Sequence, residues 1–225
     1  MKNIDIERFK NLTFNDFRIL ALDNSLSMYQ KIGFPDSYRK GKEALIFNDI
    51  ISKLKYFNQS NKVILDIGIG CSGLAIMMIE RCRKNNHTLV AIDSQEMLEL
   101  LPNEDFIRKI PGYFPDVPEV FERYGDKVDS ILTYSVFHYV FNKGNIFKFI
   151  DKALSLLKDE GELLIGDIPN VCKRKRFFKS EAGIKYHQEY TGTNEIPEGE
   201  FSIFETDLID DGVILSILQR YRNYG

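Results

Sequence analysis

The stretch Val63–Gly73, VILDIGIGCSG, constrains the fold more than any other part of the chain. An apolar run of strand character ends in an acid, passes through a glycine-rich turn and enters LAIMMIERCR, whose apolar residues recur at helical spacing. Gly68 can take a tight turn without a Cβ penalty, Gly70 lets the backbone approach a ligand, and Gly73 lets the next helix sit close to the strand. Strand, turn and helix in this order form the unit from which parallel α/β sheets are wound. The turn also suits the polar end of a nucleotide-like ligand.

The glycines alone do not name that ligand, because the same string matches a dinucleotide fingerprint. Asp66 adds information: it closes the strand two residues before the first glycine, where a phosphate gains nothing from a carboxylate. A ligand whose near end carries an ammonium would gain from it. A second acid follows in LVAID, Leu89–Asp93, which reads as the next strand with Ser94 just beyond it. A carboxylate at that carboxyl end can accept hydrogen bonds from two ribose hydroxyls, and its distance from the turn leaves room for one helix.

With Asp66, Gly68, Gly70 and Asp93 in this arrangement, the chain resembles the class I S-adenosylmethionine-dependent methyltransferases. The resemblance implies a Rossmann-like, doubly wound, mostly parallel sheet with helices on both faces. It further implies S-adenosyl-L-methionine as cofactor and S-adenosyl-L-homocysteine as product. The glycine turn, with Cys71 and Ser72, would flank the methionine part, and Asp93 would hold the ribose. The sequence departs from the usual third glycine, since Ser72 stands in that place and Gly73 follows.

A chain of 225 residues suits one substantial core, and its 44% hydrophobic and 28% charged content is that of a globular protein. Residues 1–60 read as an N-terminal helical cap, and 61–225 as an α/β domain with an insert at about 171–200. A formal charge of -3 gives no general reason to expect nucleic-acid affinity. MKNIDIERFKN lacks the apolar core of a secretory signal and no segment has bilayer-spanning length, so no membrane partner and a cytoplasmic location are expected. Cys71, Cys82 and Cys172 have no metal-ligand spacing; they read as free thiols, and no metal is expected.

Along the chain, Ile4–Phe17 and Asp23–Lys31 read as short helices. A stronger helical stripe of Ala44, Leu45, Phe47, Ile50, Ile51 and Leu54 follows the break at Gly33 and Pro35. After the first crossover, Phe106–Ile110 is expected as an edge strand, Val117–Tyr124 as a helix, Val128–Thr133 as the fourth strand and Ile146–Leu157 as a helix. Glu162–Ile165 is expected as the fifth strand. Val213–Gln219 can supply a further strand, with Phe201–Phe204 as its partner. A sheet trimmed at that edge would favour a homodimer.

Ligands in open parallel sheets bind beyond the carboxyl ends of the strands, which brings Tyr134 and Ser135 near both cofactor and acceptor. His138 is a candidate general base, the alternative being a structural or stacking histidine. Asp167, after the fifth strand, can orient or deprotonate an acceptor or stabilise its own turn, and Asn170 can bond in the same place. Tyr38, Arg39 and Lys42 are candidates for a cofactor carboxylate or an anionic substrate, against a solvated helix entrance. In the insert, Lys173, Arg174, Lys175 and Arg176 can attract an anion. Phe177, Phe178, Tyr186 and Tyr190 can line an acceptor or pack on the domain, and His187 is a second candidate base.

These readings point to methyl transfer onto a small molecule, most naturally a hydroxyl on a polar or anionic, carbohydrate-like metabolite. A nicotinamide-dependent oxidoreductase and a catalytically inactive cofactor-binding module are the competing classes. Neither the glycine turn nor Asp93 separates them, and Asp66 favours the methyl donor.

Overall fold

Five strands form one sheet: β1 (Val63–Ile67), β2 (Thr88–Asp93), β3 (Ile107–Pro111), β4 (Val128–Tyr134) and β5 (Leu157–Gly166). The computed structural model describes residues 6–9, 11–197 and 209–224. All strand pairs are parallel, in the order β3-β2-β1-β4-β5. The order reverses beside β1, which opens a crevice above the carboxyl ends of β1, β2 and β4.

Before the sheet stand α1 (Phe14–Leu22), α2 (Met28–Lys31), α3 (Asp36–Arg39) and α4 (Glu43–Lys53). Between strands run α5 (Gly73–Lys84), α6 (Gln95–Glu99), α7 (Pro118–Tyr124), α8 (Phe137–Lys143) and α9 (Ile146–Leu154). After β5 come α10 (Val171–Phe178), α11 (Glu181–Thr191) and α12 (Asp211–Arg220). None of the helices among the described residues is long and apolar enough to cross a membrane.

The central strands β1, β2 and β4 are largely buried on both sides because both faces of the sheet are covered. Along β1, Ile64 enters a core with Ile50, Met78, Ile79 and Leu98, whereas Leu65 enters the opposite core with Val120, Phe137 and Phe149. In the second core Phe149 meets Phe114 edge-on at 5.0 Å and Phe137 at 6.4 Å. Phe149→Ala is expected to cost about 3–5 kcal/mol, measurable by urea unfolding. A variant within about 1 kcal/mol of the parent would show that the core closes over the lost ring.

The expected α/β sheet, with β3 at an edge, is the one observed. One expectation at the C-terminal side needs correction. Val213–Gln219 is not a strand but the body of α12, started by the Asp210 carboxylate accepting from Val213 N at 2.9 Å. Val213, Ile214 and Ile217 pack on the second core at helical spacing, a pattern that a run as short as VILSIL also shares with a strand. The proposed partner Phe201–Phe204 lies outside the described residues. Within the insert at about 171–200, Asn170 and Ser180 cap α10 and α11. The two helices cross closely at Gly183, where a Cβ would fall 1.9 Å from the Phe177 carbonyl oxygen.

Candidate functional site

A cavity lies in the crevice, with the β1–α5 turn, Asp93 and Tyr134–Val136 below it and the N-terminal helices above. Phe14 and Phe17 of α1, Phe34, Arg39 of α3, and Glu43 and Ile46 of α4 form the roof. Gly112, Tyr113 and Phe114, just after β3, close the end beyond β2. The roof is tied to α6 at its outer margin, where Arg18 donates to both carboxylate oxygens of Glu96 at 2.7–3.0 Å.

The turn depends on backbone that only glycine adopts freely. Gly68 has φ +79°, and a Cβ there would sit 2.5 Å from Cγ2 of Val136. Its N–H donates to the Ile92 carbonyl at 2.8 Å, holding the turn against β2. Gly70 N–H donates to Asp93 Oδ2 at 2.9 Å, and Ser94 N–H donates to Asp93 Oδ1 at 2.7 Å. One carboxylate thus links the glycine turn to the end of β2. Burial lifts the Asp93 carboxyl to about 6 against the opposing pull of these two donors.

Asp66 is buried directly beneath the turn, and no donor among the described residues bonds its carboxylate. Burial, reinforced by the nearby Asp93, pushes it up to about 8. Among the described lining residues, Glu43, Asp66 and Asp93 are acidic and Arg39 is the one cation. The cavity therefore favours a cationic guest beside β1.

A second polar group sits at the tips of β4 and β5. Arg39 donates to Asp167 Oδ2 at 2.6 Å and also to the Ser135 hydroxyl, which itself donates to Asp167 Oδ2 at 2.5 Å. Ser135 and Asp167 both have left-handed backbone, φ +60° and +55°, a conformation that persists when the surroundings over-determine it. The guanidinium lies 4.2 Å from the Phe34 ring centre and 5.8 Å from that of Tyr134.

Of the residues singled out in the sequence, Asp66, Gly68, Gly70, Ser72, Asp93, Tyr134, Ser135 and Arg39 line this one cavity, and Asp167 adjoins it through Arg39. Others fall elsewhere. The Ser94 hydroxyl caps α6 by accepting from Met97 N at 3.2 Å. Cys71 belongs to the first core, its Sγ 3.9 Å from the Met28 carbonyl and its thiol pushed up to about 11 by burial. His138 is buried on α8 outside the cavity lining, its ring tilted against that of Tyr139 with centroids 3.9 Å apart. Burial pushes it down to about 4, so it is neutral at pH 7, and its Nδ1 has no partner among the described residues.

Tyr38 is exposed and does not line the cavity. Asn170 serves α10 and α12, accepting from Lys173 N at 2.8 Å and donating to Asp211 at 3.1 Å. In α10 and α11, Arg174 lies over Phe178, Tyr186 stacks on Tyr190, and His187 meets Phe178 edge-on, all away from the cavity wall. Sequence reasoning missed Phe14, Phe17, Phe34, Glu43 and Tyr113. For Tyr113 the Pro111–Gly112 break after β3 was an available signal; the roof residues carried none.

No protein-family model matches the sequence, and no curated protein does. Solved structures do match. Plantazolicin methyltransferase BpumL, solved with S-adenosylhomocysteine, aligns at TM-score 0.54 and 16% identity over 92% of this chain and 75% of that one. Geranyl diphosphate C-methyltransferase from Streptomyces coelicolor A3(2), solved with Mg2+, geranyl diphosphate and S-adenosylhomocysteine, aligns at TM-score 0.50 and 14% identity, over 91% and 68% of the two chains. At such identities the likeness establishes the fold.

Proposed function

We propose that this chain, which has the fold of S-adenosylmethionine-dependent methyltransferases, binds S-adenosylmethionine and transfers its methyl group to a small acceptor held at the tips of β4 and β5. The observation that carries the reading is the buried, unpartnered carboxylate of Asp66. Burial keeps this carboxyl protonated near neutral pH, and the ammonium of a methionine moiety supplies the cation that lets it ionise in place.

The remaining residues fit the same guest. Each Asp93 oxygen spends one acceptor position on a backbone N–H and keeps capacity for a ribose hydroxyl. Met97, Gly112, Tyr113 and Phe114 form an apolar end for the base beyond β2. The bound cofactor supplies an electrophilic methyl on a sulfonium. The protein's part is to hold the acceptor in line with it, exclude water and manage one proton.

On the acceptor side, Phe17, Phe34, Tyr134 and Tyr139 surround a single polar edge formed by Arg39, Ser135 and Asp167. That composition favours an apolar or aromatic molecule bearing a hydroxyl, with Asp167 receiving the hydroxyl proton and Arg39 holding the oxygen. The cations of α10 line no part of the cavity, so a carbohydrate acceptor loses the residues that suggested it. His138 packs Tyr139 in place rather than meeting the acceptor.

Calorimetric titration with S-adenosylhomocysteine and with NAD, followed by transfer of tritiated methyl to a panel of phenols and sugars, tests this. Saturable binding of the former alone and label in phenols are expected. A folded protein that binds NAD and ignores S-adenosylhomocysteine would overturn the reading.

A further inference from the structure

The N-terminus of α5 is the place where dinucleotide-binding sheets seat a pyrophosphate, because the unpaired N–H groups of the first turn and the helix dipole attract an anion. Here a carboxylate from a distant part of the chain already occupies it. Leu74 N–H donates to Glu43 Oε1 at 3.0 Å, and Tyr29 O–H donates to Glu43 Oε2 at 3.0 Å. Ser72, at the position whose side chain ordinarily caps such a helix, makes no cap bond. Gly73 leaves room for the intruder, since a Cβ there would stand 2.5 Å from Glu43 Oε2.

Glu43 is 8% exposed and lines the cavity, as does Asp66, which is 4% exposed and without a partner. A phosphate at the α5 terminus would displace the buried Glu43 carboxylate and come up against that of Asp93, which lines the same cavity. Like charges brought together out of water repel strongly, so the discrimination is built by repulsion as much as by attraction.

We infer that Glu43 is a specificity-determining residue: it fills the anion seat of the glycine turn with the protein's own carboxylate and so excludes phosphate-bearing nucleotides. The further statement, that this leaves the site to a phosphate-free cationic nucleoside, rests on the methyl-transfer reading above. The same contacts join α2 and α4 to the start of α5, so one side chain both closes the roof and sets the ligand's charge.

Inorganic pyrophosphate, NAD and S-adenosylhomocysteine are titrated calorimetrically into wild-type protein, Glu43→Gln and Glu43→Ala. Wild type is expected to ignore pyrophosphate at millimolar concentration. Glu43→Ala should gain pyrophosphate affinity at least tenfold, and Glu43→Gln, which keeps an oxygen for Leu74 N–H but loses the charge, should fall between. A merely structural glutamate would yield no gain for any anion. The inference is overturned if wild type binds pyrophosphate, or if a variant with native circular dichroism remains as blind to it as wild type. Should Glu43→Ala not fold, Glu43→Gln decides alone. Wild type that ignored S-adenosylhomocysteine and pyrophosphate alike would remove the methyl-transfer reading, while the variants would still decide the role of Glu43.

Discussion

Replacing Asp66 by asparagine is expected to stabilise the ligand-free protein at pH 8–9 and to weaken S-adenosylhomocysteine binding by roughly 30- to 1000-fold. The binding loss follows from removing one partner of a buried charge pair, about 2–4 kcal/mol. The stability gain follows from linkage. Asp66 rises from its ordinary 3.8 to about 8 in the folded chain. A carboxyl raised in this way contributes stability that is fully present below its unfolded value and is lost as pH climbs through the folded one. Asparagine escapes that loss.

Melting curves of the two proteins should therefore converge near pH 4 and separate as pH approaches 8, by about 2–4 °C for each kcal/mol recovered. Asp93, raised to about 6, titrates within the same window and is present in both proteins. Binding of an ammonium to wild type requires Asp66 to ionise, so affinity should rise with pH up to about 8 and a proton should be released. Equal affinity in the variant, or a variant less stable at pH 8, would contradict the assignment of Asp66.

Gly68→Ala is the second change with a large expected effect, about 2–5 kcal/mol of destabilisation. Left-handed backbone costs an alanine about 1–2 kcal/mol. The new Cβ also falls 2.5 Å from Val136 Cγ2, and forcing an atom into a packed site adds about 1–3 kcal/mol. The two parts can be separated. Val136→Ala in the same background should return about 1–2 kcal/mol of the overpacking cost, seen in a double-mutant cycle of denaturant midpoints. Additive effects would show that the clash contributes nothing and that the backbone alone is responsible.

Much of this was legible in the chain. Asp66, Gly68, Gly70 and Asp93 sit on a strand, a turn and a neighbouring strand whose order is local, and local patterns carry that order. The β4 and β5 tips were legible for the same reason, because the sheet rule places Ser135 and Asp167 together wherever adjacent parallel strands end. The roof was not. Glu43 meets Leu74 across 31 positions, and nothing in EALIFNDIISK distinguishes a glutamate that caps a remote helix from one facing water. The helices of the insert at about 171–200 were less legible, because its charges mask a weak apolar stripe, although Asn170 and Ser180 were available as cap signals. His138 left two readings open in the sequence, base or packing, because side-chain direction on α8 follows from how Phe137 and Val140 bury against the core, which spacing alone does not give.

The distance in sequence between roof and floor also governs how the molecule is made. Arg39 finds Asp167 across 128 positions and Arg18 finds Glu96 across 78. At roughly 5–20 residues added per second, the segment carrying Arg39 leaves the ribosome about 6–26 s before its partner does. Phe14, Phe17 and Phe34 spend that interval without the surface they will cover. The part synthesised early is thus the part that docks late, and each nascent chain presents a greasy, waiting segment that holdase chaperones are built to recognise.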